Sequence, residues 1–217
     1  MTLPPRPWNG AIFAAKLPTN DCCIIQVLYD FWKIRKKRLN NKAMEFCNDA
    51  LLVTVFKEPC QDFGKLPTQK LIPGLIVYAP QNKEDWVYVK TESIPFEELE
   101  FPETVDGERH SSGDACFRKG DIVFPLPFTR SQIEDIGCRT AIRGGEAIPG
   151  SYLWLVGRED EIPAEMRGTI PYRNYDLRLS DRREEIYRYL PFSMKDKYYE
   201  QQKQMGLRIE NLFEDVE

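Results

Sequence analysis

The residue types that could carry out chemistry in this chain begin with a single histidine. His110 is the only histidine among the 217 residues, so every scheme in which a histidine activates a serine or cysteine depends on it. It lies in a stretch rich in glycine and serine, whereas a general base must be held in a fixed position. We therefore expect His110 to be an exposed loop residue and predict no catalytic residues.

Acidic residues form several adjacent pairs, at positions 97–98, 160–161 and 184–185. Glycosidases use two carboxylates about 5–10 Å apart, so a hydrolase that uses surface carboxylates is one candidate function. These pairs lie at expected turns and helix starts, where a solvated surface role is usual. A hydrolase is therefore the least favoured of the candidate functions. Neither glycine-rich phosphate-binding pattern occurs in the sequence.

The six cysteines have neither the spacing nor the context of a metal site or a disulfide framework. No Cys-x-x-Cys pair occurs, and zinc sites require closer ligands than this chain offers. The chain is long enough to build an apolar core and begins without an apolar leader, which favours reduced thiols. We expect free cysteines, no metal and no cofactor; the cysteines are Cys22, Cys23, Cys47, Cys60, Cys116 and Cys138.

The overall charge is slightly acidic, with 30 basic and 34 acidic residues, which argues weakly against a dedicated nucleic-acid binder. Charge can be local, however, and one short run is strongly basic. It could contact nucleic-acid phosphates, act as a nuclear import signal, bind an acidic partner or be a solvated hairpin extension. Its basic members are Lys33, Arg35, Lys36, Lys37 and Arg38.

The four tryptophans divide into two pairs by their sequence surroundings. Trp86 and Trp154 lie in apolar runs, and we expect both in the core. Trp8 and Trp32 border polar segments, and we expect them to be partly exposed, where aromatic residues often anchor partners. The predicted binding residues are therefore Trp8, Trp32 and the basic run, with Trp86 added by a resemblance described below.

The pattern of apolar residues predicts an α+β fold, a mainly antiparallel twisted sheet or small barrels, with C-terminal helices. A helix is expected after Thr129, capped with Gln132 and ended by Gly137. Two more helices are expected near the C-terminus, one starting near Asp181 and ending at Pro191, the other at residues 194–205. The predicted strands are residues 10–18, 22–31, 51–56, 75–78, 85–90 and 151–156.

Five segments follow from the composition: an extended segment (1–9), a strand-rich unit (10–106), a linker (107–117), a second strand-rich unit (118–179) and C-terminal helices (180–217). The two strand-rich units could be related, since Asn9-Gly-Ala-Ile-Phe13 and Lys119-Gly-Asp-Ile-Val123 share a pattern. Five residues are a short match, and chance is a rival explanation. No apolar run reaches the roughly 18 residues of a membrane span, and with no apolar leader we expect a cytoplasmic protein without a membrane partner.

The segment Gly10-Ala-Ile-Phe-Ala-Ala-Lys-Leu-Pro18, followed by Ile24-Ile-Gln-Val-Leu28, resembles the opening of a bacterial family of immunity proteins that accompany polymorphic toxins. That family opens with a Gly-Asp-Ile-Phe-type strand, and Ala11 stands here where its acid is expected. Asp85-Trp-Val-Tyr-Val89 with Ile94-Pro-Phe96 is similar to a later stretch of the family. The resemblance implies neutralisation of a toxin by direct binding, without catalysis.

The same segments are similar to small barrels of the Tudor/PWWP type. In that case residues 10–17 are the first strand, and Trp86 and Ile94-Pro-Phe96 belong to the strand and turn that close the barrel. Such modules bind methylated lysine or arginine in an aromatic cage, and some contact nucleic acid, which the run at residues 33–38 would suit. The aromatic pair expected after the first strand is replaced by Cys22 and Cys23.

These observations favour a non-enzymatic protein-binding module of the immunity type, whose acidic surface and exposed aromatic residues would suit a basic toxin. A Tudor/PWWP-like chromatin or nucleic-acid-associated module is the alternative. The two hypotheses differ in the partner that they predict, one protein in the first case and a salt-sensitive nucleic-acid contact in the second.

Overall fold

The computed structural model describes residues 3–19, 21–32, 47–59, 67–82, 84–107, 115–137, 142–167 and 176–209. The predicted basic residues at 33–38, His110, Cys60 and Cys138 lie outside these ranges. The chain divides into two compact units. Unit 1 consists of Met1–Trp32, Asp49–Ile94 and Ile142–Pro171, and unit 2 of Lys33–Asn48, Pro95–Ala141 and Tyr172–Glu217.

The strands of the described part are β1 (Ala11–Lys16), β2 (Cys22–Asp30), β3 (Ala50–Pro59), β4 (Lys70–Tyr78), β5 (Trp86–Thr91), β6 (Glu103–Gly107), β7 (Ala115–Lys119), β8 (Ile122–Leu126) and β9 (Arg143–Gly144). The helices are α1 (Arg130–Ile136), α2 (Ile148–Leu155), α3 (Ala164–Arg167), α4 (Arg183–Tyr187) and α5 (Tyr198–Gln204). The predicted α+β class, with antiparallel sheets and C-terminal helices, is confirmed. No helix in the described part is long and apolar enough to cross a membrane.

Unit 1 is built on one sheet with the order β5-β1-β2-β3-β4-β9, and among its described strands only the short β4–β9 pair is parallel. Because side chains alternate along a strand, β1 places Ile12 and Ala14 on one face, where they pack with Ile24 and Phe56. Phe13 points to the opposite face and contacts the ring of Trp86, with the two centroids 5.4 Å apart. Both faces of β1 are therefore buried, as expected for an inner strand.

The two edges of the unit 1 sheet approach each other. A Cβ atom on Gly145, just after β9, would lie 2.6 Å from Cζ2 of Trp86 on β5 and 3.1 Å from the carbonyl oxygen of Tyr78 on β4. Only glycine leaves room for this approach. The Trp86 ring, which is 1% exposed, therefore fills the space between the two edges.

Unit 2 contains a three-stranded antiparallel sheet with the order β6-β7-β8. Its buried face contacts the C-terminal part of the chain: Phe117 on β7 packs against Tyr187 and Phe192 at 5.7 and 6.0 Å between ring centroids. Phe101, just before β6, packs against Tyr198 of α5 at 4.7 Å. The C-terminal helices thus complete the core of this unit.

The first five predicted strands overlap β1 to β5, but the sixth is wrong. Residues 151–156 are not a strand, since Ser151 to Leu155 form most of α2. A short apolar run does not distinguish a buried strand from a buried helix. Pro149 in the first helical turn favours the helix, and the Ser151 hydroxyl donates to the Ala147 carbonyl oxygen four residues back, at 3.0 Å.

The predicted helix ends were correct in part. Thr129 caps α1, the Gln132 side chain completes a capping box, and Gly137 ends the helix with φ of 72°. The C-terminal helices are shorter than predicted: α4 starts at Arg183, and α5 starts at Tyr198, after a separate turn at residues 193–196. The N–H of Ser193 donates to the carboxylate of Asp196 at 3.0 Å, and this contact closes the turn and does not begin the helix.

The predicted segment boundaries do not coincide with the two compact units. The predicted linker, residues 107–117, includes the end of β6 and the start of β7. These two strands pair with each other in one sheet, so the linker does not separate two units. Residues 142–171 belong to unit 1, where β9 pairs with β4. Gly10 and Gly120 of the suggested repeat both have positive φ, 75° and 59°. Gly10 precedes β1 and Gly120 lies between β7 and β8, and the two sheets concerned have different strand orders. The repeat stays a prediction.

Candidate functional site

The structure separates the three predicted binding tryptophans by burial. Trp32 is 37% exposed, whereas Trp8 is only 6% exposed, so the expected exposure of Trp8 was wrong. Trp8 packs on Phe13 with 5.2 Å between ring centroids, which covers its ring. Trp86 is in the core, as expected from its sequence surroundings, and cannot contact a partner directly in this conformation. Of these three tryptophans, Trp32 is therefore the one with an exposed side chain.

Trp8 and Trp32 are brought together by a residue that the sequence analysis missed, Arg6. The guanidinium carbon of Arg6 lies 4.5 Å from the centroid of the Trp32 ring and 5.4 Å from that of Trp8. Both distances are within the range of cation–π attraction. We call the set formed by Arg6, Trp8, Trp32 and Asp30 the arginine clamp.

Asp30 at the end of β2 holds the arginine clamp together. Nε of Arg6 donates to its carboxylate at 2.9 Å, and Nη2 of Arg6 donates to the other carboxylate oxygen. The Asp30 side chain is 0% exposed and that of Arg6 is 13% exposed. The backbone N–H of Trp8 also donates to Asp30 at 2.8 Å. Such a bidentate, water-shielded pair fixes the position of the guanidinium as well as its charge.

The remaining contact of Arg6 is to the backbone. Its Nη2 donates to the carbonyl oxygen of Asp49 at 3.1 Å. Asp49 has φ of 62°, a left-handed conformation that is uncommon for residues other than glycine and that clusters at functional sites. The turn before β3 thus contains a left-handed residue, a conformation that aspartate tolerates better than most residues, and its carbonyl group is directed at the arginine.

A second exposed aromatic residue, Tyr78, lies at the same end of the unit 1 sheet as Trp32. Asp30 pairs with Leu51, and the adjacent Ala50 pairs with Tyr78 at the end of β4. Tyr78 is 43% exposed. Two strand spacings separate β2 from β4, about 10 Å. This end of the sheet therefore carries two large exposed aromatic side chains, one of them in contact with a fixed cation.

A shallow pocket in unit 1, of about 460 Å³, lies away from the clamp. Tyr152 forms part of its wall and donates its hydroxyl to the carbonyl oxygen of Lys57 at 2.9 Å. Burial raises the pKa of Tyr152 to about 12, so the hydroxyl stays protonated and acts as a donor. Arg158 at the rim is already paired with Glu161 at 2.6 Å and Asp21 at 3.2 Å. The charge of Arg158 is thus compensated within the chain.

Buried charges in unit 2 form a network of paired groups. Glu103, whose side chain is 0% exposed, accepts from Arg183 through both carboxylate oxygens at 2.8 Å and from the Tyr187 hydroxyl at 2.8 Å. Nζ of Lys119, 3% exposed, lies 3.5 Å from Glu103 and 3.0 Å from Glu100. Complete pairing of this kind is typical of a structural role.

Asp121 forms a second buried polar group with the helix α5. The hydroxyl of Tyr198 donates to its carboxylate at 2.5 Å, and the Gln202 amide donates at 2.7 Å. Burial raises the pKa of Asp121 above its ordinary value, against the lowering effect of these two donors. The carboxyl thus ties the β7–β8 turn to α5, and both of its donors lie within unit 2.

The cysteines of the described part, Cys22, Cys23, Cys47 and Cys116, are thiols and form no disulfide. Burial raises the pKa of Cys23 and Cys47, which makes both thiols poor nucleophiles. Among the residues that the structure describes, no group of three or more His, Cys, Asp or Glu side chains could hold a metal ion.

Comparison with known proteins gives no relative from which a function could be transferred. No protein-family model matches the chain, and neither a curated protein nor a solved structure is significantly similar to it. The site must therefore be interpreted from its own residues.

Proposed function

We propose that this chain acts by binding another protein through the end of unit 1 that carries Trp32 and Tyr78, and not by catalysis. The observation that carries this proposal is the exposed Trp32 ring, which is 37% accessible and is contacted by a fixed arginine. Tryptophan and arginine are among the residue types most enriched at binding hot spots. An aromatic side chain that is already ordered loses little entropy when a partner covers it.

The partner class that we favour is a toxin, neutralised by one-to-one binding. The support is the resemblance of residues 10–18 and 24–28 to the opening strands of immunity proteins, together with the net charge of −4. An acidic protein attracts basic partners and speeds their association. The cell in which the chain is made would then survive a toxin that it also produces.

A Tudor/PWWP-like module is the second candidate, because an aromatic pair surrounds a cation at Arg6 and a basic run follows Trp32 in the sequence. One observation counts against it: the space between Trp8 and Trp32 is taken by the chain's own arginine. The groups around this space bind Arg6 through its N–H donors, and methylation of a lysine or arginine removes such donors.

Capture of partners by the tagged chain from its native cells, with and without nuclease treatment, tests the proposal. We expect one protein to co-purify at equal stoichiometry and to be retained after nuclease. A toxin partner predicts in addition that cells producing that protein survive only when this chain is present. Recovery of histones or of a nucleic-acid-bound set that disappears with nuclease would contradict the proposal and support the Tudor/PWWP-like alternative.

A further inference from the structure

We propose that the arginine clamp is a binding site for a guanidinium group, and that an arginine of the partner protein takes the place of Arg6 when the complex forms. Arg6 is then a built-in competitor that fills the site in the free protein. The inference rests on the proposed protein-binding function and names the side chain that the partner supplies.

The chemistry of the site matches a guanidinium better than other cations. Asp30 receives two parallel N–H donors from one group, and the Asp49 carbonyl receives a third contact from the same group. The planar guanidinium holds its N–H donors in fixed directions that reach both Asp30 oxygens and the Asp49 carbonyl oxygen together. A lysine ammonium has three donors but not this planar arrangement, and it matches a carboxylate less well. The Trp32 ring adds a flat face on which a guanidinium stacks.

The frame of the site does not depend on Arg6. Asp30 is positioned by the backbone N–H of Trp8 at 2.8 Å, and its own N–H donates to the Asn9 side chain at 2.7 Å. The Trp8 ring is anchored on Phe13, and its Nε1 donates to the Pro4 carbonyl oxygen at 2.8 Å. The carboxylate and one aromatic wall therefore stay in place when the Arg6 side chain rotates away.

Arg6 can be displaced because of where it lies in the chain. It belongs to the segment 3–9, which has no helix or strand, so no regular hydrogen-bond ladder is lost when its side chain moves. The Trp32 ring that contacts Arg6 is 37% exposed and the Arg6 side chain is 13% exposed, so the clamp reaches the surface beside this ring. Main-chain contacts from Trp8 onward hold the rest of the segment.

A tethered competitor sets the specificity of the site. A group on a short tether acts at an effective concentration of about 1 mM or more, so a free arginine binds the intact protein poorly. A partner that also covers Trp32 and Tyr78 presents its arginine at a comparable effective concentration and can displace Arg6. The clamp would thus reject isolated arginines and accept only one carried by a docked protein.

Titration of the full chain with N-acetyl-arginine amide, followed by tryptophan fluorescence, tests the inference. We expect Arg6→Ala to bind this compound at least about tenfold more tightly than the intact protein, because the tethered competitor is gone. The corresponding lysine amide should not bind. Symmetrically dimethylated arginine amide should bind Arg6→Ala about tenfold more weakly, because each terminal nitrogen then has a methyl group in place of one N–H, whereas Nη2 of Arg6 uses two N–H groups, one for Asp30 and one for Asp49.

Equal affinity of Arg6→Ala and the intact protein for the arginine compound would overturn the inference, as would equal binding of the lysine compound. If Arg6→Ala fails to fold, Arg6→Lys is titrated instead; this variant keeps the charge that Asp30 requires but loses the fork, and its affinity should exceed that of the intact protein. No increase would again overturn the inference. Because no partner takes part in this titration, a negative result leaves the partner capture experiment, and hence the proposed function, to stand or fall separately.

Discussion

Replacement of Glu103 by glutamine should lower the free energy of unfolding of this protein by about 3 kcal/mol, because removal of one member of a buried ion pair leaves the other charge without compensation. Glu103 is fully covered, and Lys119, which is 3% exposed, would keep Glu100 as its anion, so the loss falls mainly on Arg183. Arg183 would lose a bidentate acceptor. Urea unfolding followed by circular dichroism measures the loss, from a lower midpoint at an unchanged slope.

Glu98→Gln is the matched control for Glu103→Gln in the same unit. Glu98 pairs with Lys197 at 2.8 Å, but the two side chains are 45% and 56% exposed. Solvent-exposed pairs contribute at most about 1 kcal/mol. If Glu103→Gln costs no more than Glu98→Gln, the network around Glu103 does not hold unit 2 together.

Asp30→Asn should destabilise unit 1 by a similar amount, about 3 kcal/mol, since it leaves the largely covered guanidinium of Arg6 without its anion. An asparagine amide also presents N–H donors toward the donors of Arg6, so one of the two bonds is replaced by repulsion. All four tryptophans lie within unit 1. Tryptophan fluorescence during urea unfolding therefore reports this unit specifically.

Asp21→Asn provides the control for Asp30→Asn. Asp21 also accepts from an arginine, Arg158, at 3.2 Å, but its side chain is 52% exposed. We expect a change below about 1 kcal/mol for this exposed pair. A small effect of Asp30→Asn, no larger than that of Asp21→Asn, would show that the clamp does not fix the segment 3–9 to the sheet.

Sequence patterns were sufficient for the parts of the fold that depend on neighbouring residues. Residues 51–55 of β3 are all β-branched or leucine, and Thr129 with Gln132 is a local capping signal; the strand and the cap were predicted and both are confirmed. α2 was mistaken for a strand because residues 151–156 are mostly apolar. Six of the eight residues of α2, Ile148 to Leu153, are buried, and burial around most of a helix weakens the periodicity that would identify it.

Only part of the candidate site could be predicted from the sequence. Trp32 could be singled out from its polar surroundings, but Arg6 and Asp30 are 24 positions apart. Asp30 ends an apolar strand and Arg6 lies in a proline-rich segment, and neither carries a local motif. They pair because the fold places the end of β2, where Asp30 lies, beside the segment 3–9. Trp8 was misjudged for the same reason, since its cover comes from Phe13 on β1.

The central claim is that this chain works by binding a protein through Trp32, and the most direct measurement is the affinity of the captured partner for Trp32→Ala. We expect the dissociation constant to rise at least about thirtyfold, as for a hot-spot residue worth about 2 kcal/mol. Tyr189→Ala, which removes an aromatic residue that is 45% exposed in unit 2, should leave the affinity within about twofold. Equal affinities for Trp32→Ala and the unaltered protein, with both folded by circular dichroism, would contradict the claim.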